Sequence, residues 1–409
     1  MATIRMDSLI RSISTALDIV EGELFGASTN HGKRIAVLCA KMGKLIGKTT
    51  EENTALAVCA LLHDSALTEY ILAEQSGENR DFAMRKHCEV GQRNVDSLCL
   101  KTNIKDFVLY HHEQADGKGP FGLREGEGPF EAELIAIADS IDVTYHLQRL
   151  EPEDLPVIRN MITQESGKRY GKKAAETMLE ILDWPAVLSL KDDVIKETAD
   201  SSISPWTVDI QTETVFGLAG FISRIIDCKS SFTHRHSTQI ANRAWFMGKH
   251  FKYSPQELAE LYLAASLHDL GKLAIPSGIL EKPGKLNNEE FEIIKSHVRM
   301  TWELLKEIEG FETICQWASN HHEKLDDSGY PFGKKSAELD FNSKLLACID
   351  LYQAISEERP YHPGRNHADT MKLLYEMAET KKIDMDITKN MDIALAPYDG
   401  KDLPPPVVH

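Results

Sequence analysis

The chain contains one ordered pattern of histidine and aspartate residues twice. Each copy has a lone His, a His-Asp pair, a third His, a double His and a final Asp. The lone His precedes the pair by 32 residues in both copies, and the third His precedes the double His by 24 residues in both. Imidazole and carboxylate groups are the ligands of water-activating divalent metals, so the pattern indicates a tandem duplication built around a metal centre. The first copy consists of His31, His63, Asp64, His87, His111, His112 and Asp139, and the second of His236, His268, Asp269, His297, His321, His322 and Asp350.

Apolar residues recur at helical spacing along nearly the whole chain, and no convincing alternating strand pattern occurs. The stretches 51–64 and 254–269 each predict an amphipathic helix that ends in a His-Asp pair. In the second stretch Ser254 is the predicted N-cap, with Glu257 three residues later. We expect Gly271 to close that helix. The pattern predicts an all-α protein.

The duplication and the distribution of proline divide the chain into four predicted segments. The first helical domain is expected at 1–150 and the second at 216–395. Between them, 151–215 contains several prolines and one helical stretch, which predicts a helical linker. The end of the chain, 396–409, is rich in proline and is predicted to be a flexible tail.

The formal net charge of −17 argues against a nucleic acid polymer as partner, since such binding needs clustered Lys and Arg. A small anionic substrate is still compatible, because bound divalent cations would supply local positive charge. No apolar run approaches the roughly 18 residues of a membrane helix, and no signal peptide is apparent. The seven cysteines form no CxxC pair. We therefore expect a cytoplasmic protein without a membrane association.

The second copy of the pattern offers enough ligands for two metals. A carboxylate can bridge two cations through its two oxygens, and Asp269 is the residue expected to do so. His268, His236 and Asp350 would bind one metal, and the remaining histidines of the set would bind the other. His321 or His322 could instead take part in acid–base chemistry. His234 is a competitor for the role of His236, but only His236 matches the spacing from His31 to His63.

The segments ASLHDLGKLAIP, KPGKL, NHHEKLDDSGYP and ACIDLYQAISEERPY resemble the HD-GYP phosphodiesterases, a branch of the HD superfamily of metal phosphohydrolases. The resemblance covers roughly 215–365. It implies an all-helical domain that opens cyclic dinucleotides at a centre of two divalent metals, iron or manganese first, with magnesium, nickel or cobalt as alternatives. The same resemblance assigns the seven residues of the second copy as metal ligands.

Further residues are implied to be functional by this resemblance. Lys272 matches a lysine near the scissile phosphate and, with Asp269, is the expected catalytic group. The segment Gly329, Tyr330 and Pro331 forms the loop that names the family. Arg359 and Tyr361 match positions that line the substrate pocket.

Three positions depart from the family pattern. Asp327 stands where glycine is usual, which would reshape the loop before Tyr330. Gln353 stands where a second Asp is usual. Phe232 stands where some members have a Glu that holds a third metal, so we expect two metals.

The first copy resembles a degenerate HD domain. Its His-Asp pair continues as HDSALTEY, without the Gly-Lys of the second copy, and no Tyr separates Gly119 from Pro120. Three roles remain open for this domain: metal binding without efficient catalysis, a structural or homodimerising role, or a second complete active site. We therefore expect two tandem HD-type helical domains joined by a helical linker.

The resemblance implies a metal-dependent phosphodiesterase in which a metal-bridging hydroxide attacks phosphorus and a linear 5′-phosphorylated dinucleotide is released. A tandem subgroup of the family degrades 3′3′-cyclic GMP-AMP, and this chain is similar to it in architecture. Cyclic di-GMP is the alternative substrate. Two other functions stay open: a non-catalytic module that binds cyclic dinucleotides, and an HD hydrolase of mononucleotides.

Overall fold

The computed structural model describes residues 3–25, 30–67, 70, 77–228, 236–357 and 364–406. It divides into two compact units. The N-terminal unit is Ile13–Trp206, and the C-terminal unit is Met1–Ser12 together with Thr207–His409. α-Helices account for nearly all regular structure in the described residues, which confirms the predicted all-α class.

Helix α1 begins in the segment that belongs to the C-terminal unit, and the larger part of it, from Ile13 onward, belongs to the N-terminal unit. The helices in chain order are α1 Met6–Phe25, α2 His31–Leu45, α3 Thr50–Leu61, α4 Arg80–Asp96, α5 Phe130–Tyr145, α6 Leu155–Glu165, α7 Lys172–Ile181, α8 Trp184–Leu188 and α9 Ile195–Ser202. Short 3₁₀ helices at Leu147–Arg149 and Pro152–Asp154 connect α5 to α6.

The C-terminal unit contains the remaining helices and one small sheet. Strand β1, Thr3–Arg5, pairs antiparallel with β2, Thr207–Asp209, with Ile4 opposite Val208. The helices are α10 Thr212–Cys228, α11 His236–His250, α12 Pro255–Leu267, α13 Ser277–Leu280, α14 Asn288–Leu305, α15 Glu312–Ser319, α16 Phe341–Ser356, α17 His367–Glu379 and α18 Met385–Leu395. Further 3₁₀ helices lie at Leu270–Ala274, Ser336–Glu338 and Ala396–Tyr398.

Capping boxes fix the starts of the two helices that lead to the His-Asp pairs. Thr49 caps α3 with Glu52, and Ser254 caps α12 with Glu257. In each box the hydroxyl accepts from the N3 amide while the Glu carboxylate accepts from the N-cap amide, so two helix-end donors are satisfied. The predicted N-cap at Ser254 is confirmed. Both helices are buried along most of their length, which anchors their C-terminal ends in the core.

Paired helices form the framework of each unit. In the N-terminal unit α2 packs along α3, and in the C-terminal unit α11 packs along α12. Gly32 in α2 makes the first contact close, because a Cβ there would lie 2.7 Å from the carbonyl oxygen of Leu61. Each pair therefore holds its lone His, the first residue of α2 or α11, near the end of the following helix.

The bounds of the two compact units differ from those of the four predicted segments. Helices α6–α9 belong to the compact N-terminal unit, although they lie in the predicted linker. Residues 3–12 belong to the C-terminal unit. In the predicted tail, Leu403 is buried and its N–H donates to Gln239 Oε1 at 2.8 Å. Part of 396–409 is thus packed on α11.

None of the helices in the described part of the chain combines the length and the apolar character that a membrane crossing requires.

Candidate metal centres

The structure brings the seven residues of the second copy together, and we name this set the C-terminal cluster. His236 is the first residue of α11, and the pair His268-Asp269 follows the last residue of α12. The other members lie in α14, directly after α15 and in α16. Ligand atoms lie within 4.8 Å of one another in three overlapping groups: His236, His268 and Asp350; His297, His321 and His322; and His268, Asp269 and His321.

Asp269 has its two carboxylate oxygens turned toward different histidines. Its Oδ2 lies 3.1 Å from His268 Nε2 and 3.8 Å from His236 Nε2. Its Oδ1 lies 3.4 Å from His297 Nε2. One carboxylate therefore contacts two separate groups of imidazole nitrogens, which is the arrangement required to bridge two cations.

Asp350 contributes a second carboxylate at the far side of the C-terminal cluster. Its Oδ1 lies 3.5 Å from His236 Nε2, and its Oδ2 lies 3.7 Å from His322 Nδ1. His322 is the one member that directs Nδ1 toward a carboxylate of the set. It is also the most exposed, with 28% of its side chain accessible, so the cluster opens to solvent on this side.

Backbone carbonyl groups orient the central imidazoles. Nδ1 of each ring donates to the carbonyl three residues earlier: His268 to Ala265 at 2.6 Å, His297 to Ile294 at 2.5 Å and His321 to Ala318 at 2.6 Å. Two of these carbonyls lie in the last turns of α12 and α15, where helix carbonyls lack an intrahelical partner. Because Nδ1 holds the proton, Nε2 keeps a free lone pair, which is the tautomer of a metal-ligating histidine.

The buried Nε2 atoms are the test of whether this donor set fits a metal. Nε2 of His268, His297 and His321 is buried and has no hydrogen-bond partner among the described residues. Leaving a buried acceptor unpaired costs free energy of about 1–3 kcal/mol per group. Three such atoms beside two carboxylates fit a metal centre, because a cation would satisfy all of them at once. HD domains are metal-dependent, and this cluster supplies residues that could hold the metal.

The electrostatics of the cluster separate its members into anions and neutral bases. Burial would raise the pKa of Asp269, but His268 and Lys272 outweigh it and hold that pKa well below its usual range. Burial lowers the pKa of His297 to about 3 and that of His322 to about 4. These imidazoles are therefore neutral at pH 7 and available as ligands without losing a proton.

His236 behaves differently because carboxylates lie on both of its ring nitrogens. Burial would lower its pKa, but hydrogen bonds to Asp350 and Glu357 raise it to about 9. Nδ1 donates to Glu357 Oε2 at 2.9 Å, on the side away from the cluster. Gln353, the noted departure from the family pattern, does not fill this role. Glu357 was missed by the sequence analysis, since it lies seven residues beyond Asp350.

Lys272 lies beside the carboxylate of Asp269. Its Nζ donates to Asp269 Oδ2 at 2.6 Å, and one fifth of its side chain is exposed. It follows the His-Asp pair in the 3₁₀ helix Leu270–Ala274, whose tight turn directs it back over Asp269. The ammonium group is thus both next to the cluster and accessible to a ligand.

Gly271 is needed for close packing, and the expectation that it closes α12 is wrong. The helix ends at Leu267, and Gly271 lies inside the following 3₁₀ helix. A Cβ at this position would lie 1.9 Å from the carbonyl oxygen of His297. Thr301 completes the contact, because its hydroxyl accepts from the Gly271 N–H at 2.9 Å and donates to the His268 carbonyl at 3.0 Å. Glycine therefore lets the His-Asp turn lie directly on α14.

The loop that contains Gly329, Tyr330 and Pro331 is held by a glutamate that follows the double His. Glu323 is 3% exposed, and its two oxygens accept from the N–H groups of Phe332 at 2.7 Å and Lys334 at 2.9 Å. Tyr330 stacks beside His322 with ring centroids 4.8 Å apart. The loop thus places an aromatic side chain at the open side of the cluster. The sequence analysis missed Glu323, although a Glu follows the double His in both copies.

Asp327 takes a backbone conformation that glycine also favours. It adopts φ 62°, in the left-handed region that glycine favours and that Asp tolerates. Gly117, the matching residue of the first copy, has φ 80°. Both loops also carry the same antiparallel bridge, Asp326 with Lys335 and Asp116 with Arg124.

The residues of the first copy form a second group, the N-terminal cluster. Asp64 again has its oxygens turned apart, with Oδ2 3.4 Å from His63 Nε2 and Oδ1 3.3 Å from His87 Nε2. His111 and His112 group with Asp64 and His87. Asp139 lies 3.2 Å from His31 Nε2. The buried Nε2 atoms of His31, His63, His87 and His111 have no hydrogen-bond partner within the described ranges, so this donor set also fits a metal.

The N-terminal cluster differs from the C-terminal one in its supporting residues. His31 Nδ1 donates to Asp142 at 2.6 Å, and Arg34 Nε donates to the same carboxylate at 2.7 Å. Leu67 occupies the position of Lys272. Glu21 adds a buried carboxyl group near His31; burial raises its pKa to about 8, and Oε2 has no hydrogen-bond partner in the described part of the chain. The sequence analysis missed Glu21, which carries no motif.

Four residues named in the sequence analysis lie outside the described residues. These are Phe232, His234, Arg359 and Tyr361.

Comparison with protein families identifies both halves of the chain. The model described as "HD domain" matches residues 29–144, and a second HD domain model matches residues 220–387. Each matched range contains one complete copy of the His and Asp pattern.

Similar proteins include two from Vibrio cholerae serotype O1. The chain is 27% identical over 391 residues to 3′3′-cGAMP-specific phosphodiesterase 1, covering 92% of this chain and 88% of the relative. It is 29% identical over 318 residues to 3′3′-cGAMP-specific phosphodiesterase 3, covering 77% and 68%. A cyclic di-GMP phosphodiesterase of Thermotoga maritima is 32% identical over 149 residues, covering 36% and 40%.

A solved structure supports the fold. The crystal structure of a cyclic GMP-AMP-specific phosphodiesterase of V. cholerae, V-cGAP3, superposes with a TM-score of 0.63 at 20% identity. The match covers 96% of this chain and 98% of that one. Two tandem HD-type helical domains are thereby confirmed.

Proposed function

We propose that this protein, which carries two HD domains, is a metal-dependent phosphodiesterase that hydrolyses a cyclic dinucleotide at the C-terminal cluster. The observation that carries the proposal is the position of Asp269, whose two carboxylate oxygens contact His268 and His297 separately. The names of the relatives, which include both 3′3′-cGAMP and cyclic di-GMP phosphodiesterases, support the reaction class.

We further propose that the cluster holds two divalent ions, iron or manganese. The seven ligands divide into His236, His268 and Asp350 on one side and His297, His321 and His322 on the other, with Asp269 shared. When bound, two such cations supply Lewis acidity toward phosphoryl oxygens and lower the pKa of a coordinated water. The residues of the chain supply the orientation, since the carbonyls of Ala265 and Ala318 hold His268 and His321 in place.

Lys272 is the proposed catalytic cation of the chain itself. Its ammonium group lies beside Asp269 and has access to solvent, so it can contact a non-bridging phosphoryl oxygen or the departing 3′ oxygen. A preorganised charge at the position where negative charge develops lowers the barrier more than it stabilises the substrate. The products would be a linear dinucleotide with a 5′ phosphate.

Tyr330 is the proposed substrate contact on the open side. Its ring lies beside His322, and Lys295 Nζ lies 5.6 Å from the ring centroid. An aromatic ring close to a cation suits a nucleotide, whose base can stack while its phosphate pairs with the charge. Gly329 is required next to it, since a Cβ there would lie 2.4 Å from the backbone nitrogen of Lys324.

The preferred substrate is proposed to be 3′3′-cyclic GMP-AMP. Two relatives are named as phosphodiesterases specific for this substrate, and the match to this chain covers more than two thirds of the length of each. Cyclic di-GMP is the second candidate, supported by the name of a relative with 32% identity to part of the chain. Both substrates share the 3′,5′-phosphodiester, so the cluster serves either.

The test is a panel of cyclic dinucleotides incubated with iron- or manganese-loaded protein, with products separated by chromatography. The expected result is a linear product with a 5′ phosphate, formed fastest from 3′3′-cyclic GMP-AMP. Asp269→Asn is expected to abolish turnover, whereas the matched Asp64→Asn leaves most of it. Binding without any product from the metal-loaded protein would instead support a non-catalytic binding module.

A further inference from the structure

A cavity adjoins the N-terminal cluster, and the proposed hydrolysis at the C-terminal cluster makes no use of it. Its volume is about 100 Å³, and its lining includes His111, His112, Asp139, Ser140, Arg169 and Tyr170. A single water needs roughly 10–15 Å³ by the same kind of measure, so the cavity has room for a group of the size of a phosphate. Three of the lining residues belong to the predicted ligand set, so a molecule in this cavity would contact the cluster directly.

His111 provides a buried ring nitrogen that could ligate a cation in this part of the cluster. Its Nδ1 donates to the carbonyl of Val108 at 2.5 Å, and its buried Nε2 has no hydrogen-bond partner among the residues described. The ring is therefore oriented as a ligand.

The N-terminal cluster lacks the cation that the C-terminal cluster has on its His-Asp turn. The two turns have the same backbone, since the N–H of Leu67 donates to the Asp64 carbonyl at 3.0 Å and that of Lys272 to the Asp269 carbonyl at 2.9 Å. Leu67 carries no charge, so the side chain at this position cannot pair with a phosphoryl oxygen as Lys272 can. Any positive charge for an anionic ligand must come from elsewhere in the unit.

Arg169 supplies that charge at the cavity. Its backbone is fixed, because its N–H donates to Glu165 at 3.0 Å and its carbonyl accepts from Ala115 at 3.2 Å. Its guanidinium carbon lies 5.6 Å from the ring centroid of Tyr170, whose hydroxyl is hydrogen-bonded to Ser140 at 2.7 Å. Arg169 is exposed, and no salt bridge to a carboxylate is found for it within the described ranges. It lines the same cavity as three members of the ligand set, and a guanidinium is suited to a phosphate group.

We propose that the N-terminal cluster and Arg169 together form a binding site for a phosphate monoester, such as the terminal phosphate of a nucleotide. A phosphate monoester carries close to two negative charges at pH 7, one more than a diester, so it would pair more strongly with a guanidinium and with a cation held by the cluster. The loop of this unit also lacks a tyrosine between Gly119 and Pro120. The site thus differs in ligand class from the C-terminal cluster, and it stands independently of the proposed hydrolysis.

The test measures binding of 5′-GMP to full-length, manganese-loaded protein by equilibrium dialysis. All proteins carry Asp269→Asn, which removes the bridging carboxylate of the C-terminal cluster. Arg169→Ala is expected to weaken binding by about 10- to 100-fold, the loss of one charge-assisted hydrogen bond. Lys168→Ala is the matched control, since Lys168 is the exposed neighbour and donates to the Gln164 carbonyl. It should bind 5′-GMP as the parent does.

Three further measurements make the result specific. The manganese content of Arg169→Ala should equal that of the parent, and Arg169→Lys should recover part of the affinity. Cyclic 3′,5′-GMP, a diester of the same nucleoside, should bind at least about 10-fold more weakly than 5′-GMP, because its phosphate carries one negative charge fewer.

Unchanged binding in Arg169→Ala, binding that persists when Asp64→Asn is added, or equal affinity for the two nucleotides would each overturn the proposal. Turnover of cyclic dinucleotides by Arg169→Ala with Asp269 intact is expected to be normal. Loss of the 5′-GMP site and loss of hydrolysis are therefore distinguishable results.

Discussion

Nδ1 of His236 donates to the carboxylate of Glu357 at 2.9 Å, and this contact replaces the one that Asp142 makes with His31 in the other unit. Asp142 lies three residues after Asp139 in α5, whereas Glu357 follows α16, seven residues after Asp350. The two units thus orient equivalent histidines with carboxylates from different positions. Gln353, three residues after Asp350, supplies no carboxylate to His236, and Glu357 supplies one instead.

Removing the Glu357 carboxylate should weaken metal binding at the C-terminal cluster. A carboxylate behind a ligating histidine typically contributes about 10- to 100-fold in metal affinity. We expect that loss for Glu357→Ala and a smaller one for Glu357→Gln, measured by manganese dialysis in an Asp64→Asn background. Asp142→Ala, made without that background, should affect only the N-terminal cluster. Equal manganese affinity in Glu357→Ala and its parent would show that His236 needs no such support.

Lys272→Ala should separate catalysis from metal binding. The ammonium group contacts Asp269 Oδ2, the atom proposed to bind a cation, so its loss leaves manganese content equal or higher. Turnover should fall by about 10²- to 10⁴-fold, the range for one charge-stabilising or proton-transfer group. Lys389→Ala, on the exposed surface of α18, is the control. A parallel fall of metal content and rate would assign Lys272 a structural role.

Gly271→Ala should destabilise the C-terminal unit. The new Cβ would clash with the carbonyl oxygen of His297 at 1.9 Å, and forcing such overpacking typically costs about 1–3 kcal/mol. We expect a lower Tm and reduced manganese content, because His268 and Asp269 lie on the displaced turn. Gly278→Ala is the matched control, since a Cβ there meets nothing within 4 Å. Identical Tm values for the two variants would contradict the packing role.

Glu323→Ala should release the loop that carries Tyr330. The variant leaves the N–H groups of Phe332 and Lys334 without their carboxylate acceptor. Manganese content should be retained, while KM for the cyclic dinucleotide rises because Tyr330 loses its position beside His322. The matched Glu113→Ala frees the corresponding loop of the N-terminal unit. It should leave KM unchanged, and an equal rise in both variants would exclude a specific role for Tyr330.

The metal-free protein should lose stability as the pH falls below about 6.5, the ordinary pKa of histidine. Burial lowers the pKa of His297 to about 3, so between these values the unfolded chain binds a proton that the folded chain does not. The contribution of His297 to the free energy of unfolding is complete above about pH 6.5 and falls by about 1.4 kcal/mol for each pH unit below it. Urea denaturation in the presence of a chelator should show this slope, reduced by that amount in His297→Gln. An unchanged slope in His297→Gln would show that His297 does not cause this pH dependence.

The fold class could be predicted because helical spacing persists along the chain and because Ser254 and Glu257 form a recognisable capping box. The set of site residues could be predicted because a duplicated spacing exposes residues that single occurrences do not. His236 could be chosen over His234 in this way, although His234 lies outside the described residues. The substrate contacts Arg359 and Tyr361 also stay predictions for that reason.

The supporting residues could not be predicted, because each acts through a contact between segments distant in the chain. Glu357 reaches back to His236, Arg243 in α11 donates to the carbonyl of Lys401, and β1 pairs with β2 across some two hundred residues of sequence. None of these contacts leaves a periodic signal. For the same reason the sequence does not predict that residues 3–12 pack with the C-terminal unit.

The sequence by itself determined which side chains can bind a metal, because ligand chemistry is a property of residue type and its repetition is visible in one dimension. Only the tertiary structure decided the protonation, orientation and charge of those side chains. The Nδ1 tautomer of His268 depends on the carbonyl of Ala265, and the bridging position of Asp269 depends on the close approach that Gly271 permits. Distances of a few ångströms control these properties, and they exist only after the helices have packed.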